Sequence, residues 1–302
     1  MTDRLEDVMG KVMERRYICD KTGVVEKTRF YVGENTALHP RWRKGKTKAD
    51  KRDENQRRAA RELARIFNCN LDGGWYFVTL TYSDDAHEKL FGSMTEDQTL
   101  IESKRLAGLY VRRLKRKAGA GIKYAYVSSD REVEEDGSLT PVRVHNHVVI
   151  CGADMEQLRE CWSYGVIDVR SVYANQDDYT PLAVYLVQQV RSLPDYKKFN
   201  TSRNLEKPRV EERVVVGDPG DEMRVQPGAK VLDRMTYREG SVVQYVRYKR
   251  RPKAVKRGGK REGTDNPSDS ASPSHLPLHK GGSDGRDLEG GAGFEFSKAS
   301  WG

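Results

Sequence analysis

The chain is poor in cysteine. It has four in 302 residues, and no two stand in a Cys-x-x-Cys spacing. Cys19, Cys69, Cys151 and Cys161 therefore argue against a zinc knuckle or a disulfide framework, and a reducing cytosol is the expected compartment. No stretch approaches the roughly 18 continuous apolar residues of a membrane span, so no membrane partner is expected. The opening residues, MTDRLEDVMGKVMERR, lack the apolar core of a secretory signal. A phosphate-cradling GxxxxGK[ST] loop is missing, so any duplex unwinding falls to another protein. There is no internal repeat. Hydrophobic residues make up only 36% of the chain against 33% charged, enough for a core in one or two domains.

What is present in excess is positive charge, at a net +9. That favours a polyanionic partner, DNA or RNA before an acidic membrane surface. Two segments concentrate it. Arg41 to Arg65 holds eleven Lys/Arg against four Asp/Glu, and Lys104 to Lys117 holds seven basic residues and no acidic one. Within the first, residues 53–67 place Ala59, Ala60, Leu63, Ile66 and Phe67 at helical spacing. The spacing predicts an amphipathic helix that offers Arg57, Arg58 and Arg61 to phosphate; a solvated surface helix is the plain alternative. In the second, Arg112, Arg113 and Lys115 are the candidates. Trp42 and Trp75 are candidate stacking platforms for unpaired bases, with core packing the simpler role for Trp75.

Gly73-Gly74 breaks the chain, and Trp75 to Tyr82 (WYFVTLTY) reads as a central strand. Thr95 with Gln98 forms a capping-box pattern opening a helix to about Lys117. Residues 123–130 and the segment around 145–150 read as an antiparallel hairpin with Asp136-Gly137 in its loop. A short helix at 154–162, a strand at 166–172 and a helix from Thr180-Pro181 to about Arg191 follow. Trp162 and Gly165 read as structural. Residues 210–216 and 242–248 are candidate extended segments. The order suits an α+β domain with a central antiparallel sheet and flanking helices. The expected division is a basic helical segment 1–70, a catalytic domain 71–210, an extension 211–251, and a disordered tail 252–302 whose Gly/Ser/Pro/Lys composition cannot bury enough surface to order.

His145-Asn146-His147 is the most informative motif. On a strand, residues two apart share a face, so both imidazoles project to one side, a start for a divalent-metal site. Taken alone, the pair also fits ordinary, partly exposed strand histidines. An oxygen donor is wanted beside them. Asp130, at the end of the pairing strand, is the candidate, with Glu132 in reserve. Nitrogen and oxygen donors without thiolate suit Mg²⁺ or Mn²⁺, zinc less so. Tyr185, on the helix after Thr180-Pro181, is a candidate nucleophile for a phosphodiester, because a cation at the scissile phosphate would offset the weakness of a phenol. Plain packing against the sheet is its alternative role.

Three ordered segments resemble the motifs of HUH endonucleases, the rolling-circle replication initiators of plasmids and small phages. Phe77-Val-Thr-Leu-Thr-Tyr82 is similar to their first strand motif. His145-Asn146-His147 is similar to their His-hydrophobe-His strand. Ala183-Val-Tyr185-Leu-Val-Gln-Gln-Val190 looks like their tyrosine helix. Asn55 to Arg65 and Ser202 to Pro208 add flanking similarity, so that roughly residues 53–210 are covered. The resemblance implies that His145, His147 and Asp130 hold Mg²⁺ or Mn²⁺. It implies that Tyr185 nicks single-stranded origin DNA as a 5′-phosphotyrosine, and that a host polymerase and helicase are partners. Two positions depart from the pattern. Asn146 stands where the family usually has an apolar residue, and tolerance is expected because its side chain faces away from the imidazoles. Gln188 and Gln189 stand where the family often has Lys and a second Tyr, which leaves Lys197 or Lys198 as substitutes for a helping lysine. The same chemistry in a relaxase or transposase, and a non-catalytic DNA-binding protein of the same fold, remain open alternatives.

Overall fold

Gly74, with φ +69°, ends the turn after a long helix and starts a strand, so the first predicted break falls where expected. The computed structural model describes residues 11–32, 48–134, 136–172, 178–193, 196–215, 222–237 and 243–251. In order these form β1 (Lys11–Ile18), β2 (Val24–Val32), α1 (Lys48–Asn70), β3 (Trp75–Leu80), α2 (Asp84–Phe91), α3 (Glu96–Ala118), β4 (Lys123–Val133), β5 (Leu139–Cys151), α4 (Met155–Glu160), β6 (Ile167–Val172), α5 (Thr180–Gln188), β7 (Asn200–Thr201), β8 (Arg209–Val215), β9 (Lys230–Tyr237) and β10 (Val243–Lys249). The fold is α+β, with two five-stranded antiparallel sheets.

The first sheet runs β6-β3-β5-β4-β7. Its middle strand, β5, separates two cores. On one side Val144, Val148 and Ile150 pack with Leu106, Tyr110 and Leu114 of α3. On the other, Val149 packs with Leu63 and Phe67 of α1 and with Ala183 and Leu186 of α5. Thr95 caps α3 with the predicted reciprocal box. Thr180 is not the cap of α5. Asp178 accepts from its backbone N and its hydroxyl instead. Gly165 is structural, as expected: a Cβ there would collide with the Thr81 carbonyl, which also accepts from Trp162 Nε1 at 2.9 Å.

The second sheet runs β8-β1-β2-β10-β9 and draws on both ends of the described chain. Residues 11–32, expected within a helical segment, are instead a β-hairpin. The reason is visible in its pattern: Glu14, Glu26, Lys27 and Arg29 are buried, so charge on these strands hides a buried face. β8 and β10 fall where the extended segments 210–216 and 242–248 are expected, with residues 216 and 242 outside the described residues, and β9 joins them. The sheet docks on α1 through Arg65, whose guanidinium makes two 2.7 Å hydrogen bonds to Glu26 and lies over the Tyr17 ring. The tail 252–302 lies outside the described residues.

Candidate functional site

β5 sends His145 and His147 to the face covered by α1 and α5, with their Nε2 atoms 3.1 Å apart. His145 Nδ1 lies 3.1 Å from the Arg143 carbonyl. A carbonyl can only accept, so the proton sits on Nδ1 and Nε2 presents a lone pair. His147 Nδ1 is 3.2 Å from Thr79 Oγ1, a hydroxyl placed by direct pairing of Thr79 with His147 across β3 and β5. In the tautomer with its proton on Nδ1, His147 Nε2 is also an acceptor; in the other, the Thr79 hydroxyl donates to Nδ1 and Nε2 donates to its neighbours.

A third acceptor joins them. Gln189 Oε1 lies 3.2 Å from His147 Nε2. Its amide nitrogen donates to the Tyr185 carbonyl at 3.2 Å, which fixes the amide's orientation. Ser129 Oγ donates to the Gln189 carbonyl and pins the residue from β4. In the tautomer that places both ring protons on Nδ1, two lone pairs and an amide oxygen converge. Burial, reinforced by His145, pushes the His147 pKa down to about 3, so the ring is a neutral imidazole. Two neutral imidazoles and a hard oxygen fit a divalent cation. His145, His147 and Gln189 are the residues that would hold it.

Tyr185 stands beside this cluster. Its ring centroid is 6.0 Å from that of His147 and 6.4 Å from that of Phe77. Burial raises the phenol's pKa, and a hydrogen bond with Gln189 offsets part of the rise.

The expected carboxylate is not in the cluster. Among the described residues, no group of three or more His, Cys, Asp or Glu is disposed to hold a metal. The β4–β5 register slips between Ser129 and Arg131, so Asp130 sits in a bulge. There Arg191 Nε takes its carboxylate at 2.7 Å. Glu132 is exposed, and it acts on the Tyr185 phenol only through its charge. The donor that sequence reasoning missed is Gln189. The available signal was its position four residues after Tyr185, one helical turn on and on the same face.

Asn146 faces the opposite side of the sheet, as expected from strand alternation. It is fully buried, accepts from Ser103 and Ser128 and donates to Tyr82 Oη.

The basic candidates divide. Arg57 and Arg58 lie on α1, half-buried and exposed respectively, on the histidine side of the sheet. Arg61 is turned onto the second sheet, its guanidinium 4.8 Å from the Tyr245 ring centroid. Arg112 and Lys115 are exposed but belong to α3, across the sheet from the imidazoles. Arg113 lies against the Cys161 carbonyl and Tyr164. These α3 residues are therefore not placed to hold a phosphate at Tyr185. Lys197 is exposed. Lys198 is an internal strap, donating to Gln56, to the Val190 carbonyl and to Ser192, with burial lowering its pKa to about 8. Trp75 is core, 3% exposed, and Trp42 lies outside the described residues. No helix among the described residues is long and apolar enough to cross a membrane. No family model, curated protein or solved structure matches the chain.

Proposed function

We propose that the chain is an HUH-type endonuclease acting as a rolling-circle replication initiator on single-stranded DNA. The observation that carries this reading is the Tyr185 ring 6.0 Å from His147, beside a convergent His145–His147–Gln189 donor set. A nucleophile and a cation-binding cluster on one face are what in-line attack at a phosphodiester requires. The order of the three motifs along the chain supports the same reading.

Tyr185 Oη loses its proton and attacks the phosphorus. The P–O3′ bond breaks, the leaving oxygen takes a proton to become a 3′-OH, and the 5′-phosphate stays on the protein as a phosphotyrosine. The phosphodiester's energy is kept in the new link, so a later attack by a 3′-OH rejoins the strand without ATP. A bound Mg²⁺ or Mn²⁺ supplies charge at the scissile phosphate. Gln189 positions the phenol and contributes an oxygen donor at once, and Thr79 holds the His147 ring in the tautomer that leaves Nε2 open. The exposed 3′-OH serves a host polymerase, with unwinding by a separate helicase.

The test uses labelled single-stranded oligonucleotides tiled across the replicon that encodes the chain, incubated with Mn²⁺. Covalent protein–DNA adducts are expected from the wild type and not from Tyr185→Phe or in EDTA. Adducts that persist in Tyr185→Phe, or equal cleavage in EDTA, contradict the assignment.

A further inference from the structure

Arg170 is a cation on the histidine face, and the chemistry above gives it no role. β6 is the edge strand of the first sheet, and the register places Arg170 opposite Phe77 and Asp168 opposite Thr79. Phe77 in turn faces Val149, and Thr79 faces His147, across β5. Directly paired residues share a face, so Arg170 projects to the side that carries His147, Phe77 and Tyr185. The Phe77 ring is 5.0 Å from His147 and 6.4 Å from Tyr185 by centroids. The Arg170 side chain is 48% exposed, and among the described residues no strand pairs beyond β6 in this sheet, which leaves the guanidinium open to a strand of nucleic acid. The basic residues of α3 are across the sheet, and Lys198 is committed internally. The charge of Arg170 also reaches the phenol: burial raises the Tyr185 pKa, and Arg170 is among the groups that oppose the rise.

We propose that Arg170 binds a backbone phosphate of single-stranded DNA next to Tyr185 and so positions the scissile linkage over the phenol. The proposal rests on the nuclease reading above. Asp168 presets the guanidinium through Nε at 2.8 Å. That pair is half exposed on both sides, and exposed ion pairs are weak, so a phosphate can displace Asp168 readily. A planar guanidinium suits two phosphate oxygens better than an ammonium does.

The experiment measures binding of a fluorescent single-stranded oligonucleotide to the full chain carrying Tyr185→Phe, across about 50 to 200 mM salt. Arg170→Gln is expected to lower the magnitude of the log K against log salt slope by about 0.7, the share of a single neutralised phosphate, while Arg170→Lys keeps the slope. With Tyr185 intact, Arg170→Gln is expected to slow adduct formation about 10- to 100-fold. An unchanged slope in Arg170→Gln overturns the proposal even if Tyr185 adducts form. A lowered slope with no Tyr185 adduct from the wild type upholds the phosphate interaction and instead sinks the nuclease reading. A merely structural role for Arg170 would change the unfolding midpoint and not the slope.

Discussion

At the scale of single residues, an amide where a carboxylate was expected changes the charge of the site. Two neutral imidazoles and Gln189 would leave a bound divalent cation its full charge, whereas an aspartate would remove half of it. Under the proposed function, the metal would be held more weakly and a phosphate attracted more strongly. Gln189→Ala is therefore expected to weaken Mn²⁺ binding about 10- to 100-fold, and Gln189→Glu to strengthen it, both read by calorimetric titration. Asp130→Asn is expected to leave Mn²⁺ affinity unchanged, because its carboxylate is bound to Arg191. Weaker Mn²⁺ binding in Asp130→Asn, with none in Gln189→Ala, would restore the carboxylate to the cluster. His145, His147 and Tyr185 were legible because two-residue strand spacing and motif order are properties of the sequence. Asp130 misled because a bulge is a register event, and register depends on both strands.

Among elements, β5 shows how one strand serves two purposes. Its odd residues hold the imidazoles, while Asn146 on the even face satisfies three hydroxyl groups, those of Ser103, Ser128 and Tyr82. An apolar residue at this position would strand those hydroxyls in the core. Asn146→Leu is expected to lower stability by about 2–3 kcal/mol in urea unfolding, with Mn²⁺ affinity retained in the folded fraction; a neutral effect would show that the network carries no stability. The β1–β2 hairpin was not legible for a related reason. Glu14 is fully buried and pairs with Arg16, Lys27, Arg29 and Arg213 at 2.8–3.5 Å, so the charges that make a strand look solvated are partners in its interior. Burial would raise the Glu14 pKa, but its hydrogen bonds from Arg16 and Lys27 lower it from 4.5 to about 2. Between those values the unfolded chain binds a proton that the folded chain does not, so this stabilisation is complete above about pH 4.5 and lost as pH falls toward 2. Unfolding midpoints measured from about pH 6 downward should fall through that window. The fall should be shallower in Glu14→Gln; an identical slope would contradict the role of the buried carboxylate.

For the whole molecule, α1 is the bridge between the sheets. Ala60, Leu63 and Phe67 join the core with α5, while Arg61 and Arg65 turn to the second sheet. A division that isolates residues 71–210 as a free-standing catalytic domain therefore cuts through packed surfaces, because β1, β2 and β8–β10 close a sheet from both ends of the described chain. The same geometry sorts the basic residues. Charge reversal at Arg57 and Arg58 should weaken single-stranded DNA binding and lower its salt slope, whereas reversal at Arg112 and Lys115, across the sheet, should leave the cleavage rate of a short oligonucleotide within about twofold. The opposite ranking would move the DNA path to the α3 face. Net charge points to a polyanionic partner, but which basic segment would meet it depends on the side of the sheet each helix covers, which composition does not encode.

The most direct measurement is peptide mass spectrometry of the wild-type chain after reaction with single-stranded DNA and Mn²⁺, followed by nuclease and protease digestion. The account predicts a nucleotide 5′-phosphate covalently attached to Tyr185, in the peptide spanning residues 171–191. A nucleotide on any other residue, or none on this peptide while the DNA is cut, would contradict it.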